Sequence, residues 1–225
     1  MLSISDALRL AAFFQPHFEP VCEPGYCEVA GGTRREKSYV HDLEFVLKPL
    51  DTKPPLLFGI KPKDQPKTLL DVKLNELVQA EYLFFKQGAD RNKKYYVNMA
   101  KFGIEPQSEE GSPESDLSFV LDLWVTVSPA QFGVNLAIRT GPNSENNKFS
   151  KWIVTPRSQG GALPDEYRVK HCAVWRVDQF HPGTDALIDG ELPFAMPNED
   201  DFLLNLLGLH MSPTERHADW GRYTR

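Results

Sequence analysis

Three acidic side chains of this sequence stand where acids are costly. Asp42 and Glu44 lie two residues apart in "YVHDLEFVL", and Asp122 is the sole charged residue of "LSFVLDLWVTV". A strand sends alternate side chains to opposite faces, so Asp42 and Glu44 share one face. A carboxylate inside an apolar run is expensive to bury unless a cation or hydrogen-bond donors meet it, and a divalent ion asks for several oxygen ligands. Three carboxylates from neighbouring strands are therefore expected to hold two Mg²⁺ or Mn²⁺ ions about 3.5–4 Å apart, clamping the attacking and leaving oxygens of a phosphoryl displacement. Upstream, Gly31 and Gly32 open "GGTRR", a turn that lets backbone amides approach a triphosphate, with Arg35 supplying positive charge. The chemistry these residues suggest is metal-dependent nucleotidyl transfer. Each feature also has an ordinary structural use. D-x-E suits a solvated strand face, paired glycines a hairpin turn, Arg34 and Arg35 a surface pair, and Asp122 a buried carboxylate bonded by backbone amides.

Periodicity and capping residues locate the elements that must position these groups. Ser3 and Asp6 have capping-box spacing ahead of Ala7, Leu8, Ala11 and Phe14, which predicts a helix over 4–14 ended by Pro16. "YCEVA" at 26–30 reads as a strand leading into the glycine turn, and 39–47 as a second strand stopped by Pro49. A proline-rich loop over 48–67 precedes "LLDVKLNELVQ", an amphipathic helix at 69–80 offering Leu70, Leu74, Leu77 and Val78 to a core. Strands follow at 93–99 and within 117–127, separated by the acidic loop 105–116. Cys172, Trp175 and Phe180 supply a C-terminal core, and His41 points away from Asp42. The pattern predicts an α+β protein.

Composition limits the functions available. A chain of 225 residues can bury a genuine core and holds one domain or a domain with a small companion. The formal net charge of -6 argues against a surface that grips nucleic acid all over, while leaving room for a local basic patch. "KQGADRNKK" is such a patch, with Arg91, Lys93 and Lys94 beside Tyr95 and Tyr96, which can stack on bases or sit in the core. Cys22, Cys27 and Cys172 form neither an even set nor a CxxC pair, so no disulfide framework or zinc site is expected. "MLSISDALRLAAFF" lacks a basic n-region, and no stretch of about 18 apolar residues is present to cross a bilayer. A soluble, cytoplasmic protein with no membrane contact is expected.

"AGGTRREKSYVHDLE" closely resembles the palm signature of the DNA polymerase beta family, family X, in which a Gly-Ser-x-Arg-Arg turn precedes an Asp-x-Asp or Asp-x-Glu pair. "LDLWV" resembles the strand carrying the third carboxylate, and "RTGPNSENNKF" the Thr-Gly turn with an Asn beyond it. "MPNEDDFLLNLLGLHMSPTER" is similar to the closing segment. "IVTPRSQGGALP" is also similar to phage and bacterial nucleotidyltransferase-like proteins of this group. The resemblance implies a nucleotidyltransferase palm over 1–137, a mixed β-sheet backed by helices, and a small thumb over 138–225. It implies that Asp42, Glu44 and Asp122 are catalytic and bind the two metals. Gly31, Gly32 and Arg35 would hold the β and γ phosphates of a nucleoside triphosphate, Thr140 and Gly141 would flank the sugar, and Asn146 or Asn147 would reach the base. The implied reaction adds a nucleotide from a (d)NTP to a 3′-hydroxyl of DNA, as in short gap filling or end extension. RNA, a protein or a small molecule is the alternative acceptor, and a catalytically silent binding module is the alternative of another class.

Three departures from the family pattern stand out. Gly32 replaces the usual serine, Arg139 stands where an aromatic often precedes Thr-Gly, and Ser150 occupies the neighbourhood of an arginine that probes the template. The DNA-clamping modules of larger members are not expected here. DNA contacts are therefore expected chiefly from Arg91, Lys93, Lys94 and Arg157, giving weak, distributive binding. Two substitutions express these expectations: Gly32→Ser is expected to be tolerated or helpful, and Asp122→Asn to abolish transfer with the fold intact and to raise metal-free stability by relieving like-charge repulsion.

Overall fold

A computed structural model describes residues 1–51, 67–89, 92–105, 119–142 and 148–217. The chain divides into two compact units, Met1–Val125 and Thr126–Arg225.

In the first unit, β1 (Leu2–Ser3) leads into α1 (Ile4–Phe18), where Ser3 Oγ accepts from the Asp6 amide at 3.2 Å. Ala7, Leu10, Ala11, Phe14 and Phe18 fall on its buried side. The helix passes the proline expected to end it. Pro16 removes one amide donor near the last turn, and the fully buried Phe18 ring, edge-on to Phe45 at 5.4 Å, holds that turn in place. β2 (Cys22–Val29), the single helical turn α2 (Gly31–Arg34), β3 (Tyr39–Val40) and β4 (Asp42–Pro49) follow. The strand expected over 39–47 breaks at His41, because Val40 pairs back to Leu2 while β4 pairs with two other strands. α3 (Leu69–Gln79) begins with a complete Thr68–Asp71 capping box and buries Leu70, Leu74 and Leu77.

β5 (Leu83–Ala89), β6 (Asn92–Val97) and β7 (Val120–Val125) complete a five-stranded mixed sheet of order β2-β4-β7-β6-β5, in which only β4 and β7 run parallel. This is the expected α+β class. β5 was not legible in the sequence, since "LFFKQGA" carries a glycine and no clean alternation, and as an edge strand it pairs with β6 alone. Leu43, Phe45, Leu47, Leu121 and Leu123 share one apolar core with the buried residues of α1 and α3. That burial occupies one face of the central strands. Alternation then leaves Asp42, Glu44 and Asp122 on the other. Of the expected loops, 52–66 and 106–116 lie outside the described residues, and residues 48 and 49 belong to β4. No helix among the described residues is long and apolar enough to cross a membrane.

The second unit contains α4 (Pro129–Thr140), α5 (Phe149–Trp152), and the hairpin β8 (Tyr167–Lys170) with β9 (Ala173–Arg176), followed by a π-helical stretch, Asp201–Leu206. The boundary expected near 137 falls inside α4, whose buried Val134 and Ala137 pack with Phe149, Ile153, Phe202 and Leu203. Trp175 and Phe180 are buried together as expected. Cys172 is not. It is half-buried in the tight hairpin turn, where His171 and Cys172 both take left-handed backbone angles, φ 52 and 57.

The closing segment is tied by an ion pair. Arg216, 1 % exposed, donates to Glu199 Oε1 at 2.7 Å, and its guanidinium stands 5.6 Å from the Phe149 ring centroid. A buried carboxylate that loses its counter-ion is costly. Arg216→Met is expected to destabilise the fold by about 3–5 kcal/mol, and adding Glu199→Gln to recover a measurable part of that loss. Urea unfolding followed by tryptophan fluorescence checks both values.

Candidate metal centre

Parallel pairing of β4 with β7 sets Asp42 opposite Val120 and Glu44 opposite Asp122. One carboxylate oxygen from each of Asp42, Glu44 and Asp122 lies within 4.8 Å of the others. An all-oxygen donor set of this kind suits a hard divalent cation such as Mg²⁺ or Mn²⁺. The turn before β4 is shaped to it. The Ala30 amide donates to the Glu44 carbonyl at 2.8 Å, anchoring the chain as it enters α2. Gly31 then takes φ +64, and a Cβ built there would stand 1.9 Å from Glu44 Oε2. The Glu44 carboxylate therefore occupies the volume that any other residue at 31 would fill, so the donor set and the turn fit together.

Gly32 is different. A Cβ there would meet Val40 Cγ1 at 2.9 Å, so the serine expected to be tolerated requires Val40 to shift. Arg35 is buried, and its charge acts on Asp42. Burial pushes the Asp42 carboxyl above the usual range and Asp122 adds to the shift, while Lys94, His41 and Arg35 oppose it without cancelling it.

Asp122 is 3 % exposed, and both of its oxygens are already engaged. Lys94 Nζ lies 2.6 Å from Oδ2, and Asn92 Nδ2 donates to Oδ1 at 2.6 Å. Both donors come from β6, where Asn92 pairs with Trp124 and Lys94 with Asp122. In the sequence Lys94 reads as a nucleic-acid contact, and Asn92 carries no expected role. The signal was the i, i+2 spacing of the two residues on a strand, but the register that aims them at Asp122 could not be read from spacing.

Lys93 points the opposite way, toward α3, and pairs with Asp71 at 2.9 Å with both side chains largely buried. Tyr95 lies in the core, its hydroxyl pushed up to about 12 by burial and by Asp71. Tyr96 is half-buried on the carboxylate face, and His41 is exposed. Arg91, Asn146 and Asn147 lie outside the described residues. In the second unit, Thr140 is fully buried at the end of α4, and a Cβ at Gly141 would meet Phe149 and the Ser150 hydroxyl at 2.6 Å. Ser150 Oγ is within hydrogen-bond reach of the Ile138 and Gly141 carbonyls, turned inward rather than toward a ligand. Arg157 is exposed, with Nε 3.3 Å from the Ala162 carbonyl.

The Lys94 pair reverses one expectation. Removing the Asp122 charge strips Lys94 of its partner, so Asp122→Asn is expected to lower metal-free stability by about 1.5–3 kcal/mol, the worth of hydrogen bonds to a charged group. Relief of repulsion belongs to Asp42 instead. Its folded pKa lies above the unfolded value, so its favourable contribution is present below the ordinary carboxylate pKa and is lost as pH rises through the folded one. Asp42→Asn is therefore expected to raise the metal-free Tm at pH 7, with the gain vanishing below about pH 4. Thermal unfolding in EDTA across that range decides it. The chain matches no family model and no curated protein.

Proposed function

We propose that this protein is a divalent-metal-dependent nucleotidyltransferase that moves a nucleotide from a nucleoside triphosphate to a hydroxyl, with the 3′ end of DNA as acceptor. The observation that carries this reading is the convergence of Asp42, Glu44 and Asp122 across β4 and β7 within 4.8 Å. Asp42, Glu44 and Asp122 would hold Mg²⁺ or Mn²⁺, which when bound neutralises phosphate charge and makes a coordinated hydroxyl more acidic. The chain's own groups set the stage. Asp42 and Glu44 present two carboxylates from one strand, and Asp122 approaches from the next. Gly31 leaves the space that Glu44 needs, and Arg35 adds positive charge beside Asp42. Asn92 and Lys94 fix the orientation of Asp122 from the neighbouring strand β6.

A second reading takes its support from that same Lys94–Asp122 pair. An ammonium that neutralises Asp122 permanently would describe a catalytically silent module that keeps the sheet. Two measurements separate the readings. Incubation with Mg²⁺ or Mn²⁺, each labelled NTP and dNTP, and gapped DNA, single strands, RNA and protein is expected to label a DNA 3′ end. Asp42→Asn is expected to reduce that labelling by several kcal/mol in barrier, roughly 10³-fold. Mn²⁺ binding followed by electron paramagnetic resonance is expected in the wild type and to tighten in Lys94→Met. Binding seen only in Lys94→Met would establish the silent module.

A further inference from the structure

We propose that Phe84, Lys86 and Tyr96 on the β5–β6 ribbon form a stacking platform for unpaired nucleobases of a single-stranded acceptor. The sheet register places it. Phe84 pairs with Tyr96, Tyr96 with Val120, and Val120 with Asp42, so one row of side chains crosses four strands on the carboxylate face. With adjacent strands about 4.8 Å apart, Tyr96 stands about 10 Å from the Asp42 strand. A base stacked on this ribbon leaves the end of its own strand near the carboxylates.

The side chains on the row have the character a nucleobase requires. Phe84 is 48 % exposed, an unusual placement for a ring on a sheet face. Lys86 Nζ lies 4.8 Å from the Tyr96 ring centroid, which sets an ammonium beside the aromatic surface, where a phosphate follows a stacked base. Two of the cations expected at nucleic acid are committed elsewhere, Lys93 to Asp71 and Lys94 to Asp122. Lys86 forms no such ion pair among the described residues.

The competing occupant of an exposed edge strand is another strand. β5 carries two features that discourage it, a register shift between Phe85 and Gln87 and the lysine at that shift. Both twist or charge the edge against backbone pairing. Neither obstructs a base lying on the face.

This proposal deepens the transfer reading, and the word acceptor rests on it, but its test reads binding alone. Fluorescence anisotropy of a labelled single-stranded oligonucleotide is measured without divalent ions at two salt concentrations. Phe84→Ala and Tyr96→Leu are each expected to weaken binding by about 5- to 150-fold, the worth of one stacked base. Lys86→Gln is expected to weaken it less and to reduce the salt slope by about 1. Circular dichroism confirms that each variant is folded. A wild type that binds no oligonucleotide, or a folded Phe84→Ala with unchanged affinity, overturns the platform. So does a wild-type dimer in sedimentation that Phe84→Ala converts to monomer, which would make the ribbon a self-association surface. Binding lost in Phe84→Ala alongside a wild type that labels no acceptor would leave the platform standing and remove the transfer reading.

Discussion

Three carboxylates held within 4.8 Å of one another repel, and much of the first unit consists of what holds them together. The apolar core supplies the force. Leu43, Phe45 and Leu47 on β4 and Leu121 and Leu123 on β7 are fully buried against α1 and α3. At roughly 1.5–3 kcal/mol for each large apolar side chain, this burial fixes a parallel register that a few units of like-charge repulsion cannot slip. A shift of one residue would carry every leucine to the wrong face. The position of Glu44 opposite Asp122 is thus a by-product of packing on the far side of the sheet.

Cations and backbone finish what packing begins. Lys94 and Asn92 engage both oxygens of Asp122, while burial and the neighbouring Asp122 raise the proton affinity of Asp42. Asp122, buried on the same face, has its two donors 2.6 Å away, whereas Lys94, His41 and Arg35 oppose the rise at Asp42 through their charge. On the β4 side the constraint is steric, because Gly31 at φ +64 stands where a methyl group would overlap the Glu44 carboxylate.

Local rules made much of this legible. The Ser3 cap and the three- and four-residue spacing of apolar residues placed α1 and α3, while the Thr68–Asp71 capping box emerges only in the structure. Period two placed Asp42 and Glu44 on one face, and a lone acid in an apolar run singled out Asp122. What stayed hidden depends on contacts between distant segments. Pro16 inside α1 is held by Phe18 against Phe45, the break at His41 by pairing to Leu2, and β5 by its one neighbour β6. Cys172 reads as core by type and lies in a turn because the hairpin closes there. The grip of Lys94 on Asp122 required the β6–β7 register, which no single segment encodes.

The dipeptide Lys93-Lys94 shows how far register changes meaning. As sequence, two adjacent lysines beside two tyrosines read as one basic, stackable patch. On a strand they face opposite ways. Lys93 reaches Asp71, the acid that also closes the α3 capping box, and Lys94 reaches Asp122. Burial works to raise the Asp71 carboxyl, and the Lys93 and Thr68 contacts outweigh it, so Asp71 stays charged at the helix start. Tyr95 and Tyr96 divide in the same way, one into the core and one onto the carboxylate face. Strand β6 is therefore a two-sided connector. One face pins the helix layer that buries β4 and β7, and the other pins the acid that β7 carries, so the geometry of the carboxylates and the packing beneath them are joined through consecutive residues of one strand.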